Sequence, residues 1–218
     1  MIAELSDLGV FMLRQLRESY AVPRERFERP GPFNNHAGVL IAITDQHDDP
    51  EIILTLRAAH LSSHSGEVSF PGGKWEEADR TLVDTALRES YEEIGLPPGD
   101  VDVINSQPPM ISRWGIEVTP FVGIVPDDVQ LSPNPHEIAA IFRVPLSHFV
   151  EDKRTQTDVY FRDGEEWWSP VYHYHGYKIW GLTAKMLLEF VNSGWGLDLG
   201  RESAAPEIER KPLRAKTK

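Results

Sequence analysis

The chain has 218 residues, 34 acidic against 22 basic side chains, a formal net charge of −12 and no cysteine. With no long basic segment it is not built to hold a nucleic-acid polymer or an anionic membrane, and without thiols it has no disulfide, cysteine nucleophile or cysteine-ligated zinc. No run approaches the roughly 20 apolar residues of a membrane span and no signal-peptide core follows a basic start, so a cytoplasmic protein with one main domain is expected.

Ala3 to Ser19 places Leu5, Leu8, Met12, Leu13 and Leu16 at helical intervals and reads as an amphipathic helix docked on the domain. Arg24 to Asn35 is a polar connector, broken up by Pro23, Pro30, Gly31 and Pro32. His36 to Thr44 and Glu51 to Leu56 are β-branched runs separated by a polar turn, as in adjacent antiparallel strands. Arg57 follows them, either as a salt-bridge partner at the core edge or as a phosphate ligand. His60 and His64 are four apart, but their Ser/Gly-rich context promises no helix to join them on one zinc ion.

Phe70-Pro71-Gly72-Gly73 comes next, a turn whose glycines let the backbone approach a helix or a ligand. Arg80 to Ile94 then lacks Gly and Pro and reads as one helix, with Asp79 as N-cap and Gly95 and Pro97 as its stop. Val83, Leu87, Ser90, Tyr91 and Ile94 fall on one side, and Glu89, Glu92 and Glu93 share the other. Three carboxylates so close together repel unless Arg88 or cations compensate. Hard oxygen donors of this kind suit Mg²⁺ or Mn²⁺, whereas a solvated acidic helix face is the plain alternative.

Val101 to Gln107 and Val118 to Val125 read as strands, and the loop between them carries Arg113 and Trp114. Arg113 is either a surface charge or a phosphate contact, and Trp114 either stacks on a base or covers the core. Glu137 to Val144 reads as a strand, followed by a short helix at Leu146 to Asp152 and a hairpin of Thr157 to Phe161 with Trp167 to Tyr174 around Asp163-Gly164. His173 and His175 alternate with tyrosines as on a half-buried strand face and receive no catalytic role. Trp180 to Asn192 reads as a helix closing the other face of the sheet, and from Leu197 onward the chain reads as a solvated tail. Pattern alone therefore predicts a mixed α/β fold.

The central stretch resembles the signature of Nudix hydrolases in Gly73, Asp79, Arg88-Glu89, Glu92-Glu93 and Gly95. It departs in having Asp79 as the spaced acid and one extra residue before Arg88. Ile53-Leu54-Thr55-Leu56-Arg57-Ala58, then Gly66, then Phe70 to Gly73, is similar to the leader of the family's coenzyme A branch, with Ser62 where that leader has a second arginine. Trp180-Gly181-Leu182-Thr183 is similar to the same branch.

The resemblance implies an α/β/α sandwich with a mixed central sheet: residues 1–35 as N-terminal helix and connector, 36–196 as the Nudix domain and 197–218 as the tail. It implies hydrolysis of a small-molecule diphosphate, coenzyme A or an acyl ester, with Mg²⁺ or Mn²⁺ on Glu89, Glu92, Glu93 and the Gly73 carbonyl. Arg88 would orient the carboxylates, Glu89 or Glu137 would serve as base, and Arg57, Ser62, Arg113 and Trp114 would face the substrate. Glu137 has the alternative of an exposed strand-edge acid. ADP-ribose, dinucleotides or nucleoside triphosphates are the alternative substrates, and a non-catalytic nucleotide-binding module is the alternative class. A homodimer is compatible with all of these.

Overall fold

A computed structural model describes residues 8–20, 31–61, 64–162, 165–203 and 208–211, which divide into two compact units meeting between Ser147 and His148. In the first unit the two β-branched runs form β1 (His36–Thr44) and β2 (Glu51–Arg57), antiparallel with Ile43 opposite Ile52. The short strands β3 (Val68–Ser69) and β4 (Gly72–Lys74) pair with β2 and β1. The later runs supply β5 (Asp102–Ser106), β6 (Met110–Ile111), β7 (Glu117–Val125) and β8 (Ile138–Pro145). β7 runs parallel to β1 along its whole length, and the other pairings in this sheet are antiparallel, so it is a mixed sheet.

Helices flank this sheet. α2 (Leu82–Ile94) lays Leu82, Val83, Ala86 and Ile94 on Leu40, Ala42, Ile53 and Phe121. A side chain at Gly38 of β1 would collide with the Leu82 carbonyl, so the glycine sets how closely helix and sheet approach. Ile41, Ile43, Ile52 and Val122, which alternate with the first set, are equally buried, and both sheet faces are therefore covered. α1 (Leu8–Ser19) buries Met12 and Leu16 and joins Arg17 to Asp102 at 2.7 Å. Residues 3–7 of the expected helix lie outside the described residues.

Two details of α2 differ from expectation. Thr81 is the N-cap, in a reciprocal capping box with Asp84, and Asp79 is buried and turned to other partners. Tyr91 is exposed because the helix is seated on its small residues Ala86 and Ser90, which rotates the buried arc toward Glu93. Gly95 ends the helix at φ 70°, in the left-handed region, as its position predicts.

The boundary between the units falls inside α3 (Ser147–Val150), a single turn where a longer helix is expected. β9 (Gln156–Arg162) and β10 (Glu165–Tyr174) form the expected hairpin, whose turn at 163–164 lies outside the described residues. With β11 (Tyr177–Ile179) they make a second sheet, and the helix α4 (Gly181–Trp195) packs against β10 of that sheet. The helix expected to close the other face of the first sheet instead packs on β10, and among the described residues the late strands pair with one another. Asp152 and Arg154, both buried, join at 2.6 Å, and Arg154 also donates to the Gly200 carbonyl at 2.9 Å.

The segment expected as a solvated tail is also corrected. β12 (Ile208–Lys211) adds to the edge of the second sheet, parallel to β9, and Arg201 pairs with Glu166. Truncation after Ser203 removes that strand and leaves the β9 edge unpaired, so it is expected to lower Tm by several degrees. Thermal melts against a truncation after Lys211, which keeps the strand, provide the comparison.

Candidate active site

The glycine turn and the helix meet because β4 is a three-residue strand zipped onto β1, with Gly72 opposite Val39 and Gly73 opposite Gly38. α2 runs beside it, so that Glu93, Glu89 and Arg88 stand against Gly72, Gly73 and Lys74 in turn. Glu93 Oε2 accepts from the Gly72 N–H at 3.0 Å. The Glu89 carboxyl rests directly on Gly73, where any β-carbon would overlap it. Arg88 Nη2 donates to the Lys74 carbonyl at 3.1 Å.

Arg88 is the electrostatic hub of the outer site. It holds Asp79 with two bonds of 2.9 and 3.0 Å and reaches Glu89 at 3.1 Å and Glu92 at 2.9 Å. The bond to Asp79 contributes most to holding the guanidinium in its charged form. Burial by itself would raise the Asp79 carboxyl, but the bonds from Arg88, the Glu76 N–H and Thr85 outweigh it and hold Asp79 below the usual carboxylate range.

The inner site is organised by Glu93, whose side chain is 2% exposed. Sequence periodicity places it with Glu89 and Glu92 on an open face, but the rotation of α2 turns it inward, and only Glu92 is open to solvent. Burial pushes the Glu93 carboxyl up to about 7; the Gly72 N–H and Arg57 oppose the rise, and Glu89 and Glu137 add to it. Arg57 donates to Glu93 Oε1 at 3.1 Å. It is thus a salt-bridge partner inside the site, at the point where the pairing of β2 with β8 shifts register.

Burial likewise raises Glu89; Arg88 opposes it, while Glu92 and Glu137 push it further. Glu137 is delivered by the segment before β8, which is pinned to the helix end by the Ser132 N–H on Ile94 O at 2.9 Å and the Asn134 N–H on Glu93 O at 2.8 Å. Its own carbonyl accepts from Ala58 N–H at 2.8 Å. Glu89, Glu93 and Glu137 therefore form one mutually repelling anionic group.

That donor set has the chemistry of a hard-cation site: several carboxylates destabilised by one another, beside a glycine backbone that leaves room for an oxygen-ligated ion. Among the described residues no three acids or histidines are already drawn together on one point, since Arg88 holds Glu92 and Arg57 holds Glu93.

Arg113 and Trp114 sit on the β6–β7 loop, where Arg113 meets Glu67 at 3.6 Å and, among the described residues, none of the site carboxylates Glu89, Glu92 or Glu93, and both are substantially exposed. Ser62 lies outside the described residues. His60 and His64 do not converge: His60 meets the His136 carbonyl and His64 meets Glu67. Two residues of this region have roles that the sequence does not assign them, although it marks Asp79 as an N-cap candidate and as the spaced acid of the signature. Asp79 as the anchor of Arg88 is visible only in three dimensions, and Glu67 is hidden among neighbours that the glycine motif explains.

The sequence matches the NUDIX domain family over residues 34–172. The uncharacterised Nudix hydrolase NudL of Enterobacter sp. (strain 638) is 37% identical over 169 residues, which cover 76% of this chain and 86% of that protein. NudL of Escherichia coli O7:K1 is 38% identical over 168 residues, with the same coverage. The mitochondrial Nudix hydrolase 15 of Arabidopsis thaliana is 42% identical over 164 residues, 70% of this chain and 56% of the plant protein.

The buried carboxyl gives the site a pH signature when divalent ions are chelated. Folded Glu93 holds its proton more tightly than in the unfolded chain, so its contribution favours the fold at low pH and is lost as pH rises from the ordinary carboxylate value of 4.5 toward about 7. Glu93→Gln stays neutral and is expected to flatten that decline. Melts of both proteins in EDTA from about pH 4 to about pH 8 read it, and parallel curves would contradict the assignment.

Proposed function

The chain belongs to the Nudix hydrolase family, and from that premise we propose that it cleaves the diphosphate of coenzyme A or its acyl esters, releasing 3′,5′-ADP and 4′-phosphopantetheine or its acyl form. The observation that carries the substrate assignment is the wiring of the coenzyme A-like leader into the carboxylate site. Thr55 Oγ1 bonds the Ser69 carbonyl at 3.0 Å, Arg57 holds Glu93, and Gly66, at φ 67°, donates to the Arg57 carbonyl at 3.2 Å. Of the matching leader positions, Thr55 thus bonds the residue before the Phe70 to Gly73 turn, Arg57 holds the acid that accepts from Gly72, and Gly66 bonds back to Arg57.

Nudix hydrolases generally use divalent cations, and in this reading Glu89, Glu92, Glu93 and the Gly73 carbonyl would hold Mg²⁺ or Mn²⁺. Such an ion neutralises the diphosphate and makes water more acidic. Arg88 keeps Glu89 and Glu92 oriented through its anchor on Asp79. Glu89 or Glu137 serves as the base; burial, together with the charges of Glu92 and Glu137, raises the Glu89 carboxyl and favours its uptake of a proton from the attacking water. The water oxygen bonds to phosphorus, the bridging P–O bond breaks, and its electron pair leaves with the departing phosphate. Arg57 lies at the inner wall, where it balances Glu93, and Arg113 and Trp114 contact the nucleotide end.

Ser62, which replaces the second leader arginine, favours a second reading in which the same chemistry acts on ADP-ribose, a dinucleotide or a nucleoside triphosphate. The deciding experiment incubates the protein with coenzyme A and each of these compounds in Mg²⁺ or Mn²⁺ and identifies the products. Release of 3′,5′-ADP from coenzyme A supports the first reading, and exclusive cleavage of another compound replaces it.

EDTA is expected to abolish turnover. Glu92→Gln, at a solvent-exposed position, should cut it by about a hundredfold or more with Tm unchanged. Gly73→Ala should have a similar effect, because the added methyl displaces the Glu89 carboxyl from its seat, and a misplacement of about 1 Å costs on that order. Full activity in excess chelator would refute the cation mechanism.

A further inference from the structure

The β6–β7 loop carries a cation whose donors are unspent. The Arg113 guanidinium lies 4.9 Å over the Trp114 ring and 3.6 Å from Glu67 Oε1, and it donates no hydrogen bond among the described residues. The cation–π contact places the guanidinium over the ring, and an ion pair at this length directs it without occupying its N–H groups.

Glu67 is the fixed element of this arrangement. Its Oε2 meets His64 Nδ1 at 2.6 Å, and the His64 ring stands edge-on to Trp114 at 6.5 Å. The hydrogen bond with His64 holds the Glu67 carboxyl below the usual range; burial opposes it, and the charges of His64, Arg113 and Arg57 assist. Glu67 is therefore an anion beside an arginine that has unused donors. Arg57, on the inner side, belongs to the carboxylate site through Glu93, so the loop cluster adjoins that site.

We propose that Arg113, held over the Trp114 ring, binds a phosphomonoester that the substrate carries outside its cleaved diphosphate, and that Glu67 tempers this subsite by orienting the guanidinium while repelling the incoming phosphate. The ligand class is a nucleoside bisphosphate or a compound ending in one. The assignment rests on the diphosphatase reading for its link to turnover, but binding alone tests it.

Calorimetry on the intact protein measures the affinity for adenosine 3′,5′-bisphosphate relative to AMP. The wild type is expected to prefer the bisphosphate, and Arg113→Gln should lower that preference by about tenfold, the loss of one charge-assisted contact. Glu67→Gln, which keeps an acceptor for His64 but removes the charge, should raise the preference several-fold with AMP little changed. Equal affinity for the two ligands in the wild type, or an unchanged ratio in Arg113→Gln, overturns the subsite. A weakened preference in folded Glu67→Gln overturns the tempering role. The exposed loop makes Arg113→Gln decisive even if Glu67→Gln proves unstable. Hydrolysis of coenzyme A by the wild type is scored separately: a bisphosphate preference without such hydrolysis retires the substrate reading and keeps the subsite, and the opposite pattern does the reverse.

Discussion

The Glu93 carboxylate is the interaction on which the site depends. A buried carboxylate is tolerated only with donors around it, and its two come from different parts of the chain: the Gly72 N–H on the glycine turn and the Arg57 guanidinium at the end of β2. Helix, turn and sheet edge are thereby tied to one pair of oxygens. The same carboxylate stays under electrostatic strain because Glu89 and Glu137 point their charges toward it.

Arg88 solves the complementary problem on the outer side. Three acids lie within its reach, and one guanidinium with five donors divides itself among Asp79, Glu89 and Glu92. Asp79 gives it a buried, two-point anchor, so the arginine acts as a fixed positive support rather than a mobile surface charge. The two arginines thus balance the acids in the free protein, and in the proposed reaction cations would share that task.

Substrate choice depends on the surroundings of this centre. The family chemistry needs the glycine turn, the helix and their acids, whereas the leader before the turn and the β6–β7 loop carry the groups assigned to recognition. Arg113 and Trp114 are more exposed than Glu89 and Glu93, as would suit residues that select among related nucleotides while the hydrolytic centre stays constant.

Much of the fold and site is written locally. The β-branched runs of β1 and β2, the apolar runs of β7 and β8, the breaker-free α2 and its Gly95 stop depend on near neighbours, and they emerge from sequence at close to their observed bounds. So does the grouping of Arg88, Glu89, Glu92 and Glu93, since helical spacing brings them together by itself. Other features depend on partners distant in the chain. The rotation of α2, set by the close contact of Gly38 with Leu82, decides that Glu93 is buried and Tyr91 exposed. Register with β8 and the cap on the helix end bring Arg57 and Glu137 to the acids. Pairing of β9 with β10 and β12 forms a second sheet and recruits a segment that composition alone marks as tail. Periodicity specifies which faces an element has, but the angle at which it is seated, and so which charges meet, is decided only when the sheet and helix close on each other.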